Sequence, residues 1–143
     1  MQPHEVEDVV RMWRRSRDGV QPWLEARMRH TPADDLGFFR DVLARETDVW
    51  LALGGGAPLG LMALRGDFIE QLYVEPSAQR SGVGLALLEH AKAQSPAGLS
   101  LYTHQSNRRA RAFYERFGFR VVAFGTSPPP ECEPDVRYAW APE

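Results

Sequence analysis

The stretch Leu72-Tyr73-Val74-Glu75-Pro76-Ser77-Ala78-Gln79-Arg80-Ser81-Gly82-Val83-Gly84-Leu85 leaves this chain few ways to fold. Phe68–Val74 reads as a strand that Glu75-Pro76 stops, because the residue before a proline is held extended and proline has no N–H to donate. A helix follows Gly82-Val83-Gly84, with Val83, Leu87, Leu88 and Ala91 on one face and Pro96-Ala97-Gly98 as its end. A strand passing through a glycine turn into a helix can aim successive backbone N–H groups, and the positive end of the helix dipole, at one anion. Glycine lets a phosphate approach without a Cβ in the way, and Arg80 can add a charged contact. The turn is not a Walker loop, which needs Gly-Lys-Ser/Thr. Nor is it a dinucleotide fingerprint, since Leu85-Ala86-Leu87 stands where a third glycine is required. Taken alone, Gly-x-Gly also reads as a plain flexible helix entry.

The other elements fall around this one. Val6, Val9, Val10 and Trp13 have the spacing of an amphipathic helix over residues 4–17, with Arg11, Arg14 and Arg15 on its exposed side. Residues 18–32 read as a connection. A second helix is predicted after Thr31-Pro32, with Leu36, Phe39 and Leu43 on its apolar side. Val49–Leu53 and Pro58–Leu64 form two strands joined by Gly54-Gly55-Gly56. Leu99–Thr103 is a strand, Ala110, Phe113, Tyr114 and Phe117 mark a helix up to Gly118, and two strands at 119–125 and 136–140 flank the loop Ser127–Pro134. The 143 residues suit one domain, 1–143, with no linker to divide it. The expectation is a single mixed α/β sheet.

Charge and cysteine content exclude several classes. The chain has 17 basic and 19 acidic residues, a net of −2, so no nucleic-acid partner is expected. The single cysteine, Cys132, can form neither an internal disulfide nor a cysteine zinc site, and the four histidines lack ligand spacing, so no metal is expected. No apolar run is long enough to span a membrane and the start lacks the pattern of a signal peptide, so a cytoplasmic protein is expected.

Two segments carry a family resemblance. Gln79-x-x-Gly82-x-Gly84 after Leu72-Tyr73-Val74 resembles the acyl-CoA pyrophosphate loop of the GNAT superfamily of N-acetyltransferases. Leu101-x-Thr103-x-x-x-Asn107-x-x-Ala110-x-x-Phe113-Tyr114-x-x-x-Gly118-Phe119 is similar to that family's later block, in the same order and at the same separation. The ending Glu133–Trp140 also looks like small bacterial members. The resemblance implies an α+β fold: a mixed, mostly antiparallel sheet of six to seven strands with helices on both faces. The family's first strand would be short or missing, since the chain enters a helix almost at once.

The resemblance also implies residue roles. The amides of Gln79, Arg80, Ser81, Gly82, Val83, Gly84 and Leu85 would hold the pyrophosphate of acetyl-CoA. Leu72, Tyr73 and Val74 would pair with its pantetheine arm as an added strand does. Asn107 would bond the arm, with Ala110 and Phe113 beside it; Asn107 is equally suited to capping a helix. Tyr114 stands where many members place a general acid, although periodicity alone makes it a core aromatic. Glu70 stands where several members carry a base. Strand parity groups it with Leu72 and Val74 unless a bulge intervenes, and an ordinary exposed carboxylate is the alternative. His104 reads as a loop histidine or a second base.

The function expected is transfer of an acetyl group from acetyl-CoA to a primary amine of a small molecule, by direct attack in a ternary complex. Alternatives are a protein or peptide N-acetyltransferase, which differs only in its acceptor, and a non-catalytic acyl-CoA-binding regulatory module. Glu131, Glu133 and Asp135 near the last loop would attract a cationic acceptor if they line its entrance. Open sheet edges leave room for a homodimer.

Overall fold

The computed structural model describes residues 3–20, 34, 37, 44–79, 81–129 and 132–142, with the backbone alone at 3–6, 17–20 and 44. The elements, in order, are helix α1 (Pro3–Val20), a helical turn at Ala44–Glu46, strands β1 (Asp48–Gly54), β2 (Ala57–Arg65) and β3 (Phe68–Val74), a 3-10 turn at Pro76–Ala78, helix α2 (Val83–Gln94), strand β4 (Leu99–His104), helix α3 (Arg108–Arg116), and strands β5 (Arg120–Thr126) and β6 (Pro134–Trp140). The strands make one six-stranded sheet in the order β1-β2-β3-β4-β6-β5. All neighbours are antiparallel except β3 and β4, so the sheet is mixed and mostly antiparallel as expected. Among the described residues no strand precedes α1. The helix predicted over Leu36, Phe39 and Leu43 lies outside the described residues.

Two apolar layers flank the sheet. On one face Val9, Val10, Met12 and Trp13 of α1 pack on Leu61 and Ala63. On the other, Leu87, Leu88 and Ala91 of α2 and Tyr114 of α3 pack on Met62, Leu64, Leu101, Val136 and Tyr138. Strand β2 is therefore covered on both faces, which explains its continuous apolar run. Gly60 is required by packing, because a Cβ there would meet Leu87 Cδ1 at 2.8 Å and Val83 Cγ1 at 2.9 Å. The missing side chain lets the start of α2 sit directly on β2.

Polar contacts hold α3 at a defined height. The buried Tyr138 hydroxyl accepts from Arg111 Nε at 3.0 Å and donates to Glu115 Oε2 at 3.1 Å. Lys92 of α2 donates to the Phe117 carbonyl at 2.8 Å, just past the end of α3, where the helix dipole favours a cation. Its ammonium also lies 4.9 Å from the centre of the Trp140 ring. Strand β5 forms one sheet edge with every residue exposed, and the Arg111 guanidinium lies 5.9 Å above its Phe124 ring.

Candidate active site

The sheet is split at its centre. Strands β3 and β4 pair only at Phe68↔Ser100 and Ile69↔Leu101, yet β3 runs on to Val74 and β4 to His104. The two parallel neighbours diverge beyond Glu70, and a wedge opens between their C-terminal ends. The ladder to β2 decides which backbone groups face it. The Glu75 N–H donates to the Leu59 carbonyl at 2.8 Å. Antiparallel strands bond through alternate residues. With Leu61 opposite Tyr73 and Met62 opposite Leu72, Tyr73 is therefore bonded to β2, while Leu72 and Val74 turn their N–H and C=O groups into the wedge. An extended ligand with amides of its own can complete that edge.

At the mouth of the wedge the chain turns into α2. Gly82 caps the helix at φ 90° and ψ 0°, left-handed backbone that an L side chain rarely adopts, and no atom lies within 4 Å of where a Cβ would stand. The first intrahelical donor after it is Ala86, bonded to the Gly82 carbonyl at 3.0 Å. The N–H groups of Val83, Gly84 and Leu85 thus have no acceptor within the helix and point out of its positive end. Ser81 turns inward instead: its N–H reaches the Ala78 carbonyl at 3.3 Å and its hydroxyl bonds the same oxygen. The Gln79 side chain spans the mouth, donating to the Val74 carbonyl at 3.4 Å and accepting from Arg109 of α3. A Cβ at Gly84 would lie 3.5 Å from Phe113 and from Val74, so the loop, β3 and α3 converge here. Arg80 lies outside the described residues.

Asn107 caps α3, its Oδ1 accepting from the Ala110 N–H at 3.2 Å. Capping uses the carbonyl oxygen and leaves the amide nitrogen as a donor. Tyr114 is 7% exposed and stacks edge to face on Phe113 and Phe119 at 5.3 and 5.4 Å. Burial, with a smaller push from the Tyr73 phenol, raises its pKa well above the ordinary 10.0. The folded protein therefore keeps this proton at pH values where the unfolded chain has lost it. Tyr114 contributes its full stability below about pH 10 and loses it as pH rises further. Urea unfolding between pH 8 and 11 is expected to show a decline above pH 10 that Tyr114→Phe reduces; identical pH profiles would contradict it.

Glu70 stands at the apex of the wedge, in a bulge. The β2–β3 register passes from Ala63↔Gln71 to Leu64↔Ile69 and skips Glu70. Ile69 and Leu72, three apart, consequently pack against the same apolar layer, so the parity that grouped Glu70 with Leu72 and Val74 does not hold across this point. The bulge turns the carboxylate toward Arg65, 2.6 Å away. One member of the acidic group near the last loop also differs from expectation. Asp135 is buried within β6 opposite His104 and Gly125, not at a solvated entrance, and Glu131 lies outside the described residues.

Three residues here were missed in the sequence. Arg109, with Arg108, places cations in the first turn of α3, against the helix dipole. That placement is unfavourable to the helix by itself and is readable in the sequence. Arg15 and Ser16 of α1 reach Glu75 and Val74. They carry no such signal, because their partners are 60 and 58 residues away in sequence.

A split sheet with one open strand edge, leading to a glycine-capped helix N-terminus, is the arrangement that the resemblance to the GNAT superfamily implies. A family model described as acetyltransferase (GNAT) domain matches residues 45–121, and the chain belongs to that superfamily. It is 35% identical over 119 residues to the peptidyl-lysine N-acetyltransferase YjaB of Escherichia coli, covering 82% of this chain and 78% of that protein. It is 28% identical over 122 residues to the peptidyl-lysine N-acetyltransferase YiaC of the same organism, covering 85% and 81%. The solution structure of apo-form YjaB matches with a TM-score of 0.80 at 27% identity, over 98% of this chain and 93% of that one. The protein is thus an acetyl-CoA-dependent N-acetyltransferase. Among the described residues no helix is long and apolar enough to cross a membrane.

Proposed function

We propose that the enzyme acetylates lysine side chains of proteins or peptides, and that residues 1–143 form one catalytic domain. The observation that carries this reading is the similarity, over more than four-fifths of the chain, to two peptidyl-lysine N-acetyltransferases. The acceptor so favoured is the alternative named from the sequence, ahead of a small-molecule amine.

Acetyl-CoA supplies a thioester, which amines attack directly. In this reading the backbone groups of Leu72 and the Val74 N–H hold the pantetheine arm, and the Asn107 amide nitrogen adds a donor. Ala110 and Phe113 form the apolar wall. The amides of Val83, Gly84 and Leu85 hold the pyrophosphate, with Arg109 as a nearby cation and Gln79 closing the mouth. In the same reading a Leu72 or Val74 N–H receives the charge that develops on the thioester oxygen.

A lysine amine has a pKa near 10.4, so it must lose a proton before attack. In this reading Glu70 takes that proton, directly or through water, from the apex where the wedge begins, and Tyr114 serves the departing sulfur from the α2–α3 layer. No enzyme thiol takes part: Cys132 is exposed in the β5–β6 loop.

The test is a competition between lysine peptides and small primary amines for limiting acetyl-CoA, read by mass spectrometry. Lysine peptides are expected to be the better acceptors. A small amine with the higher kcat/KM would return the acceptor to the small-molecule class. The enzyme supplies its own control. Its only lysine, Lys92, is 17% exposed and bonded to the Phe117 carbonyl, so the enzyme itself should remain unacetylated.

A further inference from the structure

The end of β3 is fastened from the face of the sheet opposite the α2–α3 layer. Arg15 Nε lies 3.0 Å from Glu75 Oε1 and 3.2 Å from Oε2, and its Nη2 lies 2.5 Å from Oε2. This is a forked pairing of guanidinium and carboxylate, the arrangement that fixes orientation as well as charge. The neighbouring Ser16, buried at 1% exposure, has its hydroxyl 2.8 Å from the Val74 carbonyl and 2.9 Å from the Met12 carbonyl of its own helix, so its one proton bridges β3 and α1. Val74 is the last residue whose backbone faces the wedge, and Glu75 is the first residue of the turn leading to Gly82. Both attachments therefore act at the joint between the strand edge and the helix N-terminus. The Glu75 N–H is tied to Leu59 and its carbonyl to Ala78, each at 2.8 Å. The joint is thus held by its backbone from within the sheet and by its side chain from α1.

We infer that Arg15 and Ser16 are positioning residues for acetyl-CoA, setting the spacing and angle between the β3 edge and the α2 amides so that one ligand engages both. The inference rests on the reading of the wedge as the acetyl-CoA site. It gives α1 a task in addition to packing. Arg15 neutralises a carboxylate that opens an anion-binding turn. Ser16, with Gln79, engages the Val74 carbonyl, leaving the Val74 N–H and the Leu72 groups as the free edge.

The experiment measures acetyl-CoA affinity by calorimetry, and KM for acetyl-CoA and kcat with one fixed acceptor, for wild type, Arg15→Ala, Arg15→Lys, Ser16→Ala, Glu75→Arg and the exchanged pair Arg15→Glu/Glu75→Arg. Thermal unfolding is followed in parallel. Arg15→Ala is expected to raise the acetyl-CoA Kd and KM about tenfold, the worth of a charged hydrogen bond, with kcat at saturation changed much less. Arg15→Lys, which keeps the charge and loses the fork, should fall between. Ser16→Ala should shift KM in the same direction. Glu75→Arg alone should be at least as damaging as Arg15→Ala, and the exchanged pair should recover most of the affinity. Variants with lowered thermal stability and unchanged acetyl-CoA Kd and KM would overturn the inference and leave a purely structural tie. An exchanged pair no better than Glu75→Arg would also overturn it. Failure of the wild type to bind acetyl-CoA would refute the underlying site, a result distinguishable from a silent Arg15→Ala.

Discussion

On the proposed reading, replacing Tyr114 by phenylalanine is expected to lower the single-turnover rate of acetyl transfer by about 10²–10³-fold, the usual worth of one positioned donor to developing charge. The ring remains, and with it the edge-to-face contacts with Phe113 and Phe119, so the neutral-pH fold should be nearly unchanged. The hydroxyl matters chiefly while the C–S bond breaks, so acetyl-CoA affinity should change little. Burial that holds the phenol above its ordinary 10.0 keeps it protonated throughout the working pH range. It also limits what the group can do. A thiol has a pKa near 8.5 and a free phenol near 10, so complete transfer is uphill by about 2 kcal/mol even before burial is counted. On the proposed reading, Tyr114 would donate a hydrogen bond to sulfur as charge develops, and solvent would complete the protonation. Slow product release would hide part of the loss under steady-state conditions, which makes single-turnover measurement the proper readout. Wild-type single-turnover rates in a folded mutant, across the pH range, would return Tyr114 to the core.

Gly82→Glu is expected to lower acetyl-CoA affinity by at least about a hundredfold, since like charges placed together in a binding site cost several kcal/mol. The space for a side chain exists, because nothing lies within 4 Å of the Cβ position. Gly82 directly precedes the Val83, Gly84 and Leu85 amides, so on the proposed reading a carboxylate there would repel the pyrophosphate. A second effect comes from the backbone: φ 90° costs an L residue about 1–2 kcal/mol. Gly82→Asn separates the two, since asparagine tolerates the left-handed region and brings no charge. It should retain most of the affinity. Circular dichroism should show that α2 survives in both variants. Unchanged calorimetric affinity in folded Gly82→Glu would remove the pyrophosphate from this turn.

The order of elements was legible because each carries a local signal. Val9, Val10 and Trp13 mark α1 by helical spacing, and Glu75-Pro76 ends β3 through the geometry of proline. Asn107 showed the limit of such reading. Its capping bond to Ala110 is local and was anticipated, whereas its use by a ligand depends on what lies across the wedge. Glu70 showed a different limit. Alternation assigns faces correctly in a regular strand, but the skipped pairing at Glu70 resets it, and no residue in Ile69–Leu72 announces a bulge. Asp135 read as one of the carboxylates near the last loop, while its place in β6, between β4 and β5, buries it.

What the sequence determined by itself was whatever rests on contacts within a turn or two: the helices, most strand limits, the glycine cap at Gly82, and through the paired motifs the family and its co-substrate. The tertiary structure decided whatever needs two distant segments to meet. The wedge exists because β3 and β4 pair at two positions and then diverge. The free edge at Leu72 and Val74 depends on their register against β2. The joint at Glu75 is held by Arg15 and Ser16, some sixty residues earlier in the chain. Local propensity acts over a few residues, whereas strand pairing and the packing of helices on both faces depend on the whole sheet, and the position of each catalytic group follows from them.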